Sequence, residues 1–291
     1  MVVKSIRLIG GLINAIGAFS PELAGRAAFN LFSRTRSPEP STDKEKALYE
    51  RSAARMAEAE RLQVTAGDAR SVVYRFPPIG PANGKRLLVT HGWGSRIAYA
   101  QELVTGLREA GYEVFGLDLP GHGESPGRKL DAAMAVGVLT EAAVRFGPFD
   151  AIIGHSFGGY MTVLSAVGAL RGKPLATGKL VIIAAPADVR KVLGGFSRFA
   201  GLNDRVRVSL IGQIKRVTGR PAEDAYGPDL LARFNGSALV LHAEDDKEVA
   251  AEAARAYAGA GPHVTLQWLN GQGHRRILNS AEAVEAITTF L

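Results

Sequence analysis

The sequence predicts an α/β protein: a mostly parallel central sheet with helices on both faces. Three observations lead there. Short β-rich runs alternate with helical patterns from about residue 61 onward, as crossover-connected parallel strands require. The chain has 291 residues, 46% of them hydrophobic, enough to bury a large core. And "IIGHSFGGYM", residues 152 to 161, sets one serine among glycines directly behind an apolar run, where a strand would turn sharply into a helix.

Taken in order, "LQVTA" (62–66) and "SVVYRF" (71–76) straddle Gly67-Asp68 and read as a hairpin. Strands are then expected at "RLLVTH" (86–91), "YEVFGLD" (112–118), "DAIIGH" (150–155), "KLVIIAA" (179–185), "ALVLHA" (238–243) and "HVTLQWL" (263–269). Helices are expected near 97–109, 130–145, 157–170, 248–259 and 280–290. One gap breaks this rhythm. Residues 186–236 hold no strand pattern and are helical in character, so they should form an insertion over the strand ends, a lid. That insertion carries nine basic and five acidic residues, a net of +4, which usually means a solvated face.

Residues 1–60 form a helical extension and linker ahead of the 61–291 domain. In the first helix Lys4, Arg7, Gly11 and Asn14 make one stripe and Ile6, Ile9, Ile13 and Ile16 another, an amphipathic pattern. Ser20-Pro21 reads as a cap and first turn of a second helix to about Phe32. Two roles compete for this hairpin: packing on its own domain or a partner, and lying on a membrane surface with its flanking cations. A signal peptide fits less well, because Asn14 interrupts the apolar stretch, and no stretch reaches the ~20 apolar residues of a membrane span. "SPEPST" (37–42) reads as a linker, and Thr42 with Glu45 as a capping box opening a polar helix to about Glu60.

The chain has no cysteine, which excludes disulfides, iron–sulfur clusters, thiolate zinc and a thiol nucleophile. Its charge of +7 is not organised into basic runs interleaved with aromatics, so nucleic acid is not an expected partner. No phosphate-cradling loop and no histidine pair with metal-ligand spacing is present; neither cofactor nor metal is expected.

A serine on a strand–turn–helix perch is a candidate nucleophile, but it needs a base and an oriented acid. His274, on the glycine-rich stretch "NGQGHRRIL" after the last strand, stands where a base could reach the sheet edge. Glu244, Asp245, Asp246 and Glu248 follow the strand ending near His242 and supply carboxylates, though such a cluster also suits a helix N-terminus. Backbone donors for an oxyanion are available from Phe157, opening the helix behind Ser156, and from Trp93 in "THGWGSR".

Together, His91-Gly92-Trp93, "DLPGHGES" (118–125), the serine elbow and the order serine, acid, histidine make residues 61–291 resemble the α/β-hydrolase superfamily, serine branch. That resemblance implies Ser156 as nucleophile, His274 as general base and the Trp93 and Phe157 amides as oxyanion hole. It places the acid at Asp246, since the family loop resembles G-x-x-D-x-x-V and this chain reads Ala243 to Val249; Asp245 and, after the sixth strand, Asp188 are the reserves. It also implies that His122 is structural or lines the pocket, and that His155 packs under the elbow. The expected activity is hydrolysis of a small-molecule carboxylic ester or thioester through an acyl-serine. The alternatives are an acyltransferase or lyase, amide or carbon–carbon hydrolysis, and a non-enzymatic module. The expected location is the cytoplasm, with membrane association as the alternative role of residues 1–36.

Overall fold

A computed structural model describes residues 2–35, 39–40, 42–170 and 172–291, with backbone alone for 2–4. Residues 37, 38 and 41 of the linker expected at 37–42 therefore lie outside the described residues. The chain begins with α1 (Val2–Phe19), α2 (Pro21–Phe32) and α3 (Asp43–Ala57). Ser20 caps α2 through the Leu23 amide and Thr42 caps α3 through the Glu45 amide, as their sequence positions suggested. Helix α3 stops at Ala57 and does not reach Glu60, because Glu60 already pairs with Arg75 in the hairpin of β1 (Glu60–Ala66) and β2 (Ala69–Phe76). The turn is two residues long, with Gly67 at φ 57°.

The rest alternates: β3 (Arg86–Thr90), α4 (Gln101–Glu109), β4 (Glu113–Leu117), α5 (Ala132–Phe146), β5 (Ala151–His155), α6 (Phe157–Ala166) and β6 (Lys179–Ile183). The insertion follows as α7 (Val189–Ala200), α8 (Asp204–Thr218) and the short α9 (Gly227–Leu231). The chain then closes with β7 (Ser237–His242), α10 (Glu252–Ala258), β8 (Val264–Trp268), α11 (Gly273–Arg276) and α12 (Ala281–Phe290). The strands form one sheet in the order β1-β2-β4-β3-β5-β6-β7-β8, with β1, β2 and β4 antiparallel neighbours and every other pair parallel.

Strand alternation splits the core in two. Leu88, Ile152, Leu180 and Ile182 face a layer formed with α5 and α6, while Leu87, Val89, Ile153 and Val181 face one formed with α4 and α12. Both faces of the central strands are covered, which is why they read as continuous apolar runs.

A third core joins the N-terminal hairpin to the insertion: Ile13, Ala24, Ala28 and Phe29 pack on Leu193, Val206, Leu210 and Ile214. The buried stripe of α1 differs from the isoleucine stripe read from the sequence. It runs through Gly10, Ile13 and Gly17, with Asn14 beside them, while Ile9 and Ile16 face outward. Backbone approach explains the difference. A Cβ on Gly10 would lie 1.9 Å from the Ala200 carbonyl oxygen, and one on Gly17 2.7 Å from Val206. Asn14, which interrupts the apolar run, donates to the Gly201 carbonyl (2.8 Å) and accepts from the Asn203 amide (2.9 Å), tying α1 to the α7–α8 corner.

Candidate active site

Ser156 sits between β5 and α6 at φ 51°, ψ −121°, a backbone region that side chains rarely occupy. The Ser156 amide donates to the Ile183 carbonyl (2.8 Å) and its own carbonyl accepts the Tyr160 amide (3.1 Å), so strand and helix hold the turn from both sides. The flanking glycines answer to contact. A Cβ at Gly154 would stand 2.6 Å from the Gly159 Cα, and one at Gly158 2.4 Å from the His91 carbonyl oxygen. The elbow presents the hydroxyl at the carboxyl end of the sheet, where ligands of open α/β sheets bind.

His274 follows a glycine turn (Gly271 φ 85°, Gly273 φ 58°) and lies on the four-residue α11 instead of a bare loop. Its Nε2 is 3.0 Å from Ser156 Oγ and its Nδ1 2.7 Å from Asp246 Oδ2. This geometry suits the neutral tautomer with the proton on Nδ1, which leaves Nε2 free to accept from the serine. The Asp246 side chain is wholly buried after β7. Burial pushes its carboxyl up, but hydrogen bonds from His274 and from the Val249 (2.9 Å) and Glu248 (2.8 Å) amides outweigh that and hold it below the usual range.

The two reserve acids are engaged elsewhere. Asp245 accepts the Gly271 amide (2.8 Å); Asp188 caps α7 and pairs with Arg190 (2.8 Å). His155 reaches from the elbow to the base: its Nε2 donates to the His274 carbonyl (2.8 Å), and burial pushes this imidazole down to about 3, so it stays neutral.

The loop after β3 runs past the serine; a Cβ on Gly92 would come within 3.4 Å of Ser156 Oγ. Three side chains fix it. His91 Nδ1 donates to the Gly92 carbonyl (2.7 Å) while its Nε2 accepts the Leu119 amide (3.0 Å). His122 Nε2 accepts the Gly94 amide (2.9 Å), with Nδ1 donating to the Pro120 carbonyl (3.0 Å). Asp118 accepts the Ile97 amide (2.8 Å). Burial lowers His91 and His122 each to about 4. Trp93 is thus carried on a preorganised loop opposite Phe157, whose N–H is among the unpaired first-turn donors of α6.

Sequence reasoning missed two residues of this region. Phe32 of α2 stacks on Trp93 (centroids 5.6 Å apart, 20° between planes) and meets Phe196 of α7 edge-on (5.2 Å). Trp93 in turn meets Phe157 edge-on (5.4 Å), so four partly exposed aromatic rings form a wall beside Ser156. Phe29 and Phe32, three residues apart, were the only local signal. Arg275, next to the base, is bonded to Glu248 (2.8 Å). A cavity of about 590 Å³, lined in part by Lys85, Tyr112, Asp150 and Leu291, opens at the opposite end of the sheet.

Residues 87–287 match the family model described as "Alpha/beta hydrolase family". The chain belongs to this family. Among solved structures, the alpha/beta hydrolase fold here is similar to the esterase Pf2001 of Pyrococcus furiosus, at 17% identity and TM-score 0.61, covering 89% of this chain and 97% of that one. It is also similar to the esterase RhEst1 of Rhodococcus sp. ECU1013, at 18% identity and TM-score 0.58, covering 80% and 98%. Over 109 residues the chain is 31% identical to the provisionally named carbamate hydrolase RutD of Variovorax paradoxus (strain S110), a match spanning 36% of this chain and 39% of that protein. The family segment begins at β3, so α1 to α3 and the β1–β2 hairpin lie outside it. Among the described residues, no helix is long and apolar enough to cross a membrane, and no three His, Asp or Glu side chains gather as a metal site would require.

Proposed function

We propose that this alpha/beta hydrolase cleaves carboxylic esters or thioesters with an apolar acyl group, through an acyl-Ser156 intermediate. The observation that carries the reading is the unbroken chain Asp246–His274–Ser156, with contacts of 2.7 and 3.0 Å at the carboxyl ends of the strands. Ser156 Oγ attacks the carbonyl carbon as its proton passes to His274 Nε2. Asp246, itself ionised, stabilises the imidazolium through Nδ1–H. The Phe157 and Trp93 amides receive the oxyanion. His274 then protonates the departing alkoxide or thiolate, and water, deprotonated by the same imidazole, releases the acid. No step calls for a cofactor.

The aromatic wall supports an apolar acyl chain, since such rings offer contact area and no charge. Phe196, which brings α7 to this wall, supports reading the 186–236 insertion as a lid over the cleft. A second reading, cleavage of a carbamate or amide carbonyl, draws on the stretch shared with the Variovorax protein; the same imidazole can protonate an amine.

The test is turnover of p-nitrophenyl esters of increasing chain length, beside a carbamate of the same leaving group. Faster turnover of medium-chain esters than of acetate, abolished in Ser156→Ala, supports the reading. Preference for the carbamate selects the second; transfer to added alcohol in preference to water marks an acyltransferase; equal rates in wild type and Ser156→Ala overturn all three.

A further inference from the structure

The outward half of α1 is apolar where a solvated helix is polar. Leu8 (72% exposed), Leu12 (68%), Ile16 (42%) and Phe19 (92%) follow one another at spacings of four, four and three, and thus share a face. Ile9, Gly11, Ala15 and Ala18 widen it, and from Leu8 to Phe19 the helix carries no charged residue. Leu23, at the start of α2, is exposed as well (56%). Packing cannot account for this face, because α1 meets its own domain through the opposite side, where Gly10 and Gly17 rest on Ala200 and Val206.

Charge says what should cover it. Residues 1–36 hold five basic residues (Lys4, Arg7, Arg26, Arg34, Arg36) against Glu22, a net of +4, and residues 186–236 hold another +4. The four helices α1, α2, α7 and α8 by themselves hold ten basic residues against Glu22 and Asp204, a net of +8 in a chain of +7, so the positive excess belongs to the helical cap that they form together. The two further large apolar side chains exposed on α7, Val192 and Phe199, and Val208 on α8, lie on this cap as well. An apolar helix face on a basic body is the arrangement that settles on anionic lipid.

We infer that the cap docks on an anionic bilayer surface, with the outer face of α1 lying in the plane of the headgroups. The hairpin that would touch lipid also ends at Phe32, stacked on Trp93 beside Ser156. Docking would set the aromatic wall next to the bilayer, so substrates could arrive from lipid without crossing water. The inference goes beyond the ester chemistry and does not depend on it.

The full chain is floated with vesicles of phosphatidylcholine containing about 30% phosphatidylglycerol, and with phosphatidylcholine alone. The expected result is flotation with the anionic vesicles, weakened at least about tenfold when salt is raised to about 0.5 M and the Debye length shrinks. The Leu12→Asp/Phe19→Asp variant should lose at least about tenfold of the bound fraction, and Leu12→Gln/Phe19→Gln should lose binding too. Both variants alter exposed side chains, so their melting temperatures and turnover of a soluble ester should match wild type. Ser156→Ala should float like wild type, which separates this inference from the proposed reaction. Failure to float, equal binding to both vesicle types, or binding unchanged in both double variants overturns it. So does a dimer in solution that the double variants dissociate, since a second copy then covers the face.

Discussion

Lowering the pH from 7 to 5 should destabilise this protein steeply, because three histidines that hold the candidate site are buried in their neutral forms. Burial lowers His91 and His122 to about 4 and His155 to about 3, against about 6.5 in the unfolded chain. The unfolded state therefore binds protons first as pH falls through 6.5, and stability is lost until the folded pKa values are reached. At pH 5 each histidine has removed about 2 kcal/mol, so the three together remove about 5 to 6 kcal/mol. That is comparable to the whole stability of many domains. Asp118 works in the opposite sense: burial raises its carboxyl, so the folded state takes up that proton first and offsets part of the loss at lower pH. For a chain of this size the melting temperature should fall by roughly 10 to 20 °C between pH 7 and 5. Thermal unfolding followed by circular dichroism across this range reads the effect, and His122→Gln should shallow the slope by about one third. A melting temperature constant within about 3 °C from pH 7 to 5 would mean that these imidazoles are not held neutral, and the account of the loops around Ser156 would fail.

Asp246→Asn should lower kcat by about 10³ to 10⁴, whereas Asp245→Asn and Asp188→Asn should stay within about threefold, as steady-state ester hydrolysis would report. Equal losses at Asp246 and Asp188 would reopen the choice of acid. Gly154→Ala places a methyl 2.6 Å from the Gly159 Cα and should cost several kcal/mol or prevent folding. Gly212→Ala, on the exposed side of α8 with nothing within 4 Å, should instead raise stability by about 0.5 to 1 kcal/mol in chemical denaturation. Phe32→Ala should raise KM for medium-chain esters about tenfold and leave acetate esters within about twofold, because only the longer chain reaches the aromatic wall.

The elements that the sequence made legible are those where one residue type answers to one physical need. Gly154, Gly158 and their neighbours could be read as an elbow because only glycine lets strand and helix backbones approach so closely. The central strands could be read because both faces are buried, which makes them continuous apolar runs. His274 and the acidic loop could be placed by chain order, but the choice among Asp245, Asp246 and Asp188 rested on motif spacing. Only the fold shows which carboxylate reaches an imidazole nitrogen. The buried face of α1 was hidden because, Ile13 apart, its contact is made by Gly10, Gly17 and Asn14, which hydrophobicity ranks low, while Leu8, Leu12, Ile16 and Phe19 point away. Phe32 and Phe196 were hidden for another reason: both reach the site from elements far away in sequence, and nothing local to either names Trp93 as a partner.

The most direct test of the central claim is mass spectrometry of the protein after reaction with a fluorophosphonate. A single adduct located on Ser156, formed by wild type and slowed by several orders of magnitude in His274→Ala, is the expected result. An adduct on another serine, or labelling of Ser156 at the same rate without His274, would contradict it.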